Sequence, residues 1–173
     1  MLNPFSLFEL PVQFSVDTTL LSERYLSLQK SLHPDNFVAH SAQEQRLAMQ
    51  KSAEINDALQ VLKNPILRAE AIIQYYTNAE QDVEQKSTND VTFLMQQMEW
   101  REKLEEIEAE KNEDELSAFT SEIENIQQSI LMQLEKELNE QQWAQASLTT
   151  DKLRFIKKLM VEIEQVEEKL FDY

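Results

Sequence analysis

The chain contains no glycine in 173 residues. This absence constrains the fold more than any motif does. Two-residue β-hairpin turns depend on residues that accept positive φ, and glycine is the usual one. Phosphate-cradling loops and dinucleotide-binding fingerprints need glycine at fixed positions, so both are excluded. What remains is rich in Leu, Glu, Gln, Lys and Ala, all good helix formers. The expected fold class is all-α.

Cysteine is also absent. There is no disulfide frame, thiolate metal site or thiol nucleophile. The chain cannot by itself hold an iron–sulfur cluster or a cysteine-ligated zinc, and no cofactor is expected. The net charge is −16 and unevenly spread. Residues 1–76 carry 6 basic and 8 acidic side chains, whereas residues 77–173 carry 10 and 24. Such a field repels nucleic acid and anionic membranes. No apolar run approaches the roughly 20 residues needed to span a bilayer, and no basic segment followed by an apolar stretch opens the chain. A soluble, cytoplasmic protein is expected.

Taken in order, Asn3-Pro4 opens a short helical turn carrying Phe5, Leu7, Phe8 and Leu10, which Pro11 stops. Asp17 caps a second helix. Its stripe of Leu21, Tyr25, Leu28 and Leu32 is expected to be buried, with Arg24 and Lys30 turned to solvent. Ser41 and Glu44 form a capping-box pattern for a third helix, with Ala48, Ser52, Ile55, Leu59 and Leu62 on one face. The two long helices, joined by a short loop, should pack antiparallel. Asn64-Pro65 starts a fourth, to about Tyr76. Residues 77–89 are polar and aperiodic and read as a linker. Asp90 caps a helix to about Lys111, and Asn112 or Asp114 starts the next. Leu116, Phe119, Ile123, Ile126, Ile130, Leu134 and Leu138 form the stripe of that helix. A last helix spans about 141–170, with Trp143, Leu153, Ile156, Met160, Ile163, Val166 and Leu170. These three make a three-helix bundle over 90–173.

His33-Pro34-Asp35 falls in the loop between the second and third helices. By itself it is a helix stop followed by a polar turn. A His–Asp acid–base pair is a poor reading, because no nucleophile is near in sequence and the loop is too short to shape a cleft. Pro34 fixes the loop shape and so lowers its ordering cost on binding. Asp35 offers a carboxylate to a partner arginine.

The helix from Asp90 has two apolar sides. On a wheel of about 100° per residue, Phe93, Trp100, Leu104 and Ile107 make its core stripe. Leu94, Met95 and Met98 fall on the opposite side with Glu99, Glu102 and Glu106. Two readings stay open there. The group is either a partner-binding patch rimmed by carboxylates, or Leu94 and Met98 pack beneath the last helix. Phe155 likewise is either a half-exposed neighbour of that patch or a wide-face core residue.

The loop and its flanks, Leu28-Gln29-Lys30-Ser31-Leu32 and Ala53-Glu54-Ile55-Asn56-Asp57-Ala58-Leu59-Gln60-Val61-Leu62, resemble a J-domain. With Asn64-Pro65-Ile66-Leu67-Arg68-Ala69-Glu70-Ala71, Phe93-Leu94-Met95 and Lys152-Leu153-Arg154-Phe155, the whole chain is similar to the HscB family of J-type co-chaperones. Ala71 replaces the family's usual aromatic, and Met98 stands where leucine is common, an exchange of similar volume. The resemblance implies a J-domain over 1–76 and a scaffold-binding bundle over 90–173. It implies that His33, Pro34 and Asp35, with the basic residues Arg24 and Lys30, engage a DnaK-like chaperone ATPase of the HscA type. It further implies that Leu94, Met95, Met98, Glu99, Glu102, Glu106 and Phe155 bind an IscU-type iron–sulfur scaffold protein. Arg46 and Lys51 read as ordinary solvated charge. The chain would then be no enzyme but a stimulator of its partner's ATPase. The competing reading is a general J-protein holdase that binds unfolded chains through its acidic bundle.

Overall fold

The computed structural model describes residues 3–78 and 90–171. Among them are seven α-helices, one 3-10 turn and no strand. The helices are α1 (Pro4–Leu7), α2 (Thr18–Ser31), α3 (Ala42–Lys63), α4 (Pro65–Thr77), α5 (Val91–Glu110), α6 (Glu113–Asn139) and α7 (Trp143–Phe171), and the 3-10 turn is Pro34–Phe37. Of the linker expected at 77–89, Thr77 ends α4 and Asn78 caps it. Residues 79–89 lie outside the described residues.

The described chain divides into two compact units. One holds residues 3–78 together with Leu138–Trp143, the other residues 90–137 and 144–171. In the first unit α3 is the hub, against which α1, α2, α4 and the 3-10 turn all pack. Phe5, Phe8, Leu21, Ile55, Leu62, Ala69 and Ile72 are buried there. Each helix starts on the side chain its sequence offers. Asn3 Oδ1 accepts from the N–H of Ser6, Asp17 from Leu20, Ser41 Oγ from Glu44, and Asn64 from Ile66. Each satisfies a donor that has no partner inside its own helix.

Helices α2 and α3 run antiparallel, as their cross-links show. Tyr25 Oη donates to Asn56 Oδ1 at 2.7 Å, and one turn further Ser52 Oγ donates to Gln29 Oε1 at 2.7 Å. The α2 stripe differs from expectation. Leu21 is buried, but Tyr25, Leu28 and Leu32 are only half-buried, because the contact to α3 in this stretch is partly polar. Arg24 also departs from expectation. It is half-buried, and its Nη1 donates to the carbonyls of Phe8 and Glu9, both at 2.7 Å. Those carbonyls sit at the end of α1, where no helical N–H reaches them.

In the second unit α5 and α7 are parallel. Asp90–Lys152 (3.5 Å), Arg101–Glu162 (3.6 Å) and Glu108–Lys169 (3.2 Å) pair along their length in the same order. Exposed pairs of this kind set register more than stability. Trp100, Leu104 and Ile107 of α5, Phe119, Ile123 and Leu134 of α6, and Leu153, Ile156, Leu159 and Ile163 of α7 form the core. Met160, expected in the α7 stripe, is half-buried, and Leu159 takes the inner position. Trp143 is a second correction. It belongs with the first unit, where its indole stacks on Tyr76 with centroids 4.8 Å apart and planes at 11°. Thr149 and Glu137 are buried polar residues that pair, Thr149 Oγ1 donating to Glu137 Oε1.

Candidate functional site

Each unit carries one of the two expected surfaces. On the first it is the loop after α2. Leu32 caps the helix with φ −98° and ψ 5°. His33 then leaves helical geometry at φ −58° and ψ 138°, as the residue before a proline must. Pro34 takes the first place of the 3-10 turn, where its missing N–H is harmless to the turn itself. The side chains of His33 and Asp35 are 60% and 87% exposed. The N–H of Asp35 donates to His33 Nδ1 at 3.2 Å. That bond occupies one imidazole nitrogen and leaves Nε2 as the edge open to a partner. The Asp35 carboxylate, with Oδ2 3.5 Å from His33 Nδ1, faces out beside it. Lys30 is exposed on the last turn of α2. Lys51 pairs with Glu54 at 3.6 Å.

Two residues that hold this loop escaped the reading of the sequence. Asn36 Nδ2 donates to the carbonyl of Lys30 at 2.8 Å. From α3, Gln45 Nε2 donates to the carbonyl of Phe37 at 3.0 Å. A signal for Asn36 was available, since a helix ended by proline lacks a donor that a nearby amide can supply. Beside the loop, Leu32, Phe37, Leu47 and Ala48 line an open hollow of about 590 Å³.

On the second unit, Leu94, Met95 and Met98 of α5 are 55%, 58% and 58% exposed. Glu99, Glu102 and Glu106 are exposed around them. The alternative, in which Leu94 and Met98 pack under the last helix, is excluded by this exposure. Phe155 of α7 is half-buried. It meets Trp100 at 6.1 Å in a stacked arrangement and Phe93 at 5.8 Å edge-on. Phe93, expected in the core stripe, is half-buried at the stripe's end. The Lys152 ammonium lies 5.5 Å from the Phe93 centroid, and the Arg101 guanidinium 5.6 Å from that of Phe155. Cations over these ring faces favour the arrangement electrostatically.

Asp90 begins α5 just ahead of this patch. The N–H of Phe93 donates to its carboxylate at 3.0 Å. That bond, and then the nearby Lys152 charge, holds the carboxyl below its ordinary value against the opposing effect of desolvation. On α7, burial pushes the guanidinium of Arg154 down from its ordinary value, and Asp151 pairs with it at 2.5 Å.

A helical hairpin that exposes His-Pro-Asp at its bend, on a chain that continues into a helical bundle, defines a J-type co-chaperone. Residues 89–164 match the family described as the HSCB C-terminal oligomerisation domain. The chain is 63% identical over 172 residues to the co-chaperone protein HscB homolog of Pasteurella multocida, covering 99% of this chain and 100% of that one. Among solved structures it resembles the chaperone HscB from Vibrio cholerae at 42% identity and a TM-score of 0.86, covering 98% of this chain and 100% of the other. It also resembles human co-chaperone protein HscB at 26% identity and a TM-score of 0.87, covering 96% and 83%. The chain belongs to the HscB co-chaperone family. Among the described residues no helix is long and apolar enough to cross a membrane.

Proposed function

We propose that this chain stimulates ATP hydrolysis by a dedicated DnaK-like chaperone of the HscA type in the cytoplasm and delivers an IscU-type scaffold to it, aiding maturation of iron–sulfur proteins. The observation that carries this reading is the presentation of the triple, with His33 and Asp35 both exposed on a loop tied at its two ends. Residues 1–76 serve as the J-domain. His33, Pro34 and Asp35 meet the ATPase, Lys30 supplies the positive charge beside them, and Arg24 adds charge there while holding α1.

Residues 90–173 carry the scaffold. Leu94, Met95 and Met98 supply buried apolar contact on binding, with Phe155 at their edge. Glu99, Glu102 and Glu106 select a basic surface and speed its capture. With both activities on one chain, the scaffold is concentrated at the chaperone. Hydrolysis then closes the chaperone on the scaffold and favours cluster release.

Two exchanges test the two halves. Asp35→Asn should return ATP turnover of the purified chaperone, with scaffold present, to its basal rate; undiminished stimulation would sink the J-domain role. Leu94→Ala with Met98→Ala should weaken scaffold binding by about 30-fold or more, as loss of apolar anchors does. Binding that the double exchange hardly changes would favour a general holdase of unfolded chains instead.

A further inference from the structure

Helix α2 loses a donor where the loop begins. In an unbroken helix the carbonyl of Lys30 accepts from the N–H of residue 34, and that of Ser31 from the N–H of residue 35. Residue 34 is a proline, which has no N–H. The N–H of Asp35 is turned back to His33 Nδ1. The Lys30 carbonyl keeps only a long contact from the N–H of His33 at 3.4 Å, and the side-chain amide of Asn36 occupies the place left by residue 34. Its Nδ2 donates to the carbonyl of Lys30 at 2.8 Å and, more weakly, to that of Ser31 at 3.4 Å. Its backbone N–H donates to the carbonyl of His33 at 2.9 Å. One residue therefore holds the chain both ahead of the triple and at its first member. On the far side, Gln45 Nε2 donates to the carbonyls of Phe37 at 3.0 Å and His40 at 3.3 Å.

We infer that Asn36 is a positioning residue for the triple: its amide replaces the N–H that Pro34 lacks and holds His33 and Asp35 in their presented geometry before any partner arrives. The inference rests on the co-chaperone reading above. Without the Asn36 amide, the loop spends only part of its time in the competent shape, and apparent affinity falls by that fraction. Once bound, His33 and Asp35 are intact, so the stimulated rate at saturation is unchanged. A net hydrogen bond of about 1 kcal/mol corresponds to about fivefold in affinity.

The test uses the full chain and the chaperone's ATP turnover measured against co-chaperone concentration. Asn36→Ala should raise the half-saturating concentration by about twofold to fivefold and leave the plateau unchanged. Amide exchange at Asp35 should quicken while the thermal midpoint stays in place. Asn36→Gln, which keeps an amide donor on a longer side chain, should recover most of the affinity. Gln45→Ala, which removes the tether from the other helix, should shift half-saturation in the same direction. An unshifted half-saturation for Asn36→Ala overturns the inference. So does a lowered plateau at unchanged half-saturation, which would place Asn36 against the ATPase itself. Equal losses for Ala and Gln with unaltered exchange at Asp35 also overturn it. Asp35→Asn separates the levels. If it leaves stimulation intact, the co-chaperone reading fails; if it abolishes stimulation while Asn36→Ala changes nothing, only the positioning role fails.

Discussion

The ring of Phe155 on α7 lies nearly parallel to the indole of Trp100 on α5, with centroids 6.1 Å apart and planes at 15°. Phe93 closes the group edge-on to both. Trp100 is buried, while Phe93 and Phe155 are half-buried, so the trio runs from the bundle core to its surface. Phe155 serves both. Phe155→Ala should lower the stability of the bundle by about 2 kcal/mol, from lost burial and ring contact. It should also shift the Trp100 emission, read in a Trp143→Phe background. Phe155→Leu should keep most of the stability. If Phe155→Leu binds scaffold as wild type while Phe155→Ala does not, Phe155 acts by supporting α5 and not by touching the scaffold.

Helix positions were legible because caps and stripes are local. Asp17, Ser41, Asn64 and Asp90 each start the helix assigned to them. What the pattern leaves out is which neighbour a face will meet. Arg24 sits off the α2 stripe on a wheel, but the wheel does not know that the last carbonyls of α1 lie within reach of its guanidinium. Trp143 opens α7 and reads as the first residue of its stripe, yet its ring stacks on Tyr76, far away in sequence. The α5 face was ambiguous for a related reason. That helix is apolar on two sides, and periodicity alone gives no basis for choosing which one the bundle covers. The triple was legible, but the ring of bonds around it was not: Pro34 signals a missing donor, yet which nearby amide supplies it depends on the path of the loop.

A glycine-free chain must still end its helices. Among the described residues, four take the left-handed conformation, Glu9, Asn78, Lys111 and Gln141, with φ between 51° and 60°. Lys111 lies between α5 and α6, where its N–H donates to Glu108 O at 3.3 Å and the N–H of Asn112 reaches Ile107 O at 3.2 Å. Glycine is the usual residue here because it has no Cβ to crowd the carbonyl. Lys111→Gly should therefore raise the unfolding free energy by about 0.5–1 kcal/mol. Denaturant titration should show a higher midpoint at unchanged slope. A lower midpoint would mean that the lysine side chain contributes more than its backbone conformation costs.

Acid should loosen the start of α5 through Asp90. Its carboxyl titrates below the ordinary value of 3.8, because the N–H of Phe93 and then the Lys152 charge favour the ionised form. A group whose folded pKa is depressed stabilises the fold above its unfolded pKa, and that contribution is lost as pH falls through the folded one. The cap is therefore fully present near neutrality, begins to fade as pH drops through the ordinary carboxylate range, and is gone once Asp90 is protonated. The amide proton of Phe93 reports this directly. Its chemical shift should titrate with a midpoint below 3.8, and its exchange should quicken over the same interval. Asp90→Asn keeps an oxygen acceptor for the Phe93 N–H but removes the charge, so it should retain the first turn of α5 and flatten the response to acid. Asp90→Ala should fray that turn at every pH. A Phe93 midpoint at or above 3.8 would show that desolvation outweighs the Phe93 N–H and Lys152 in solution.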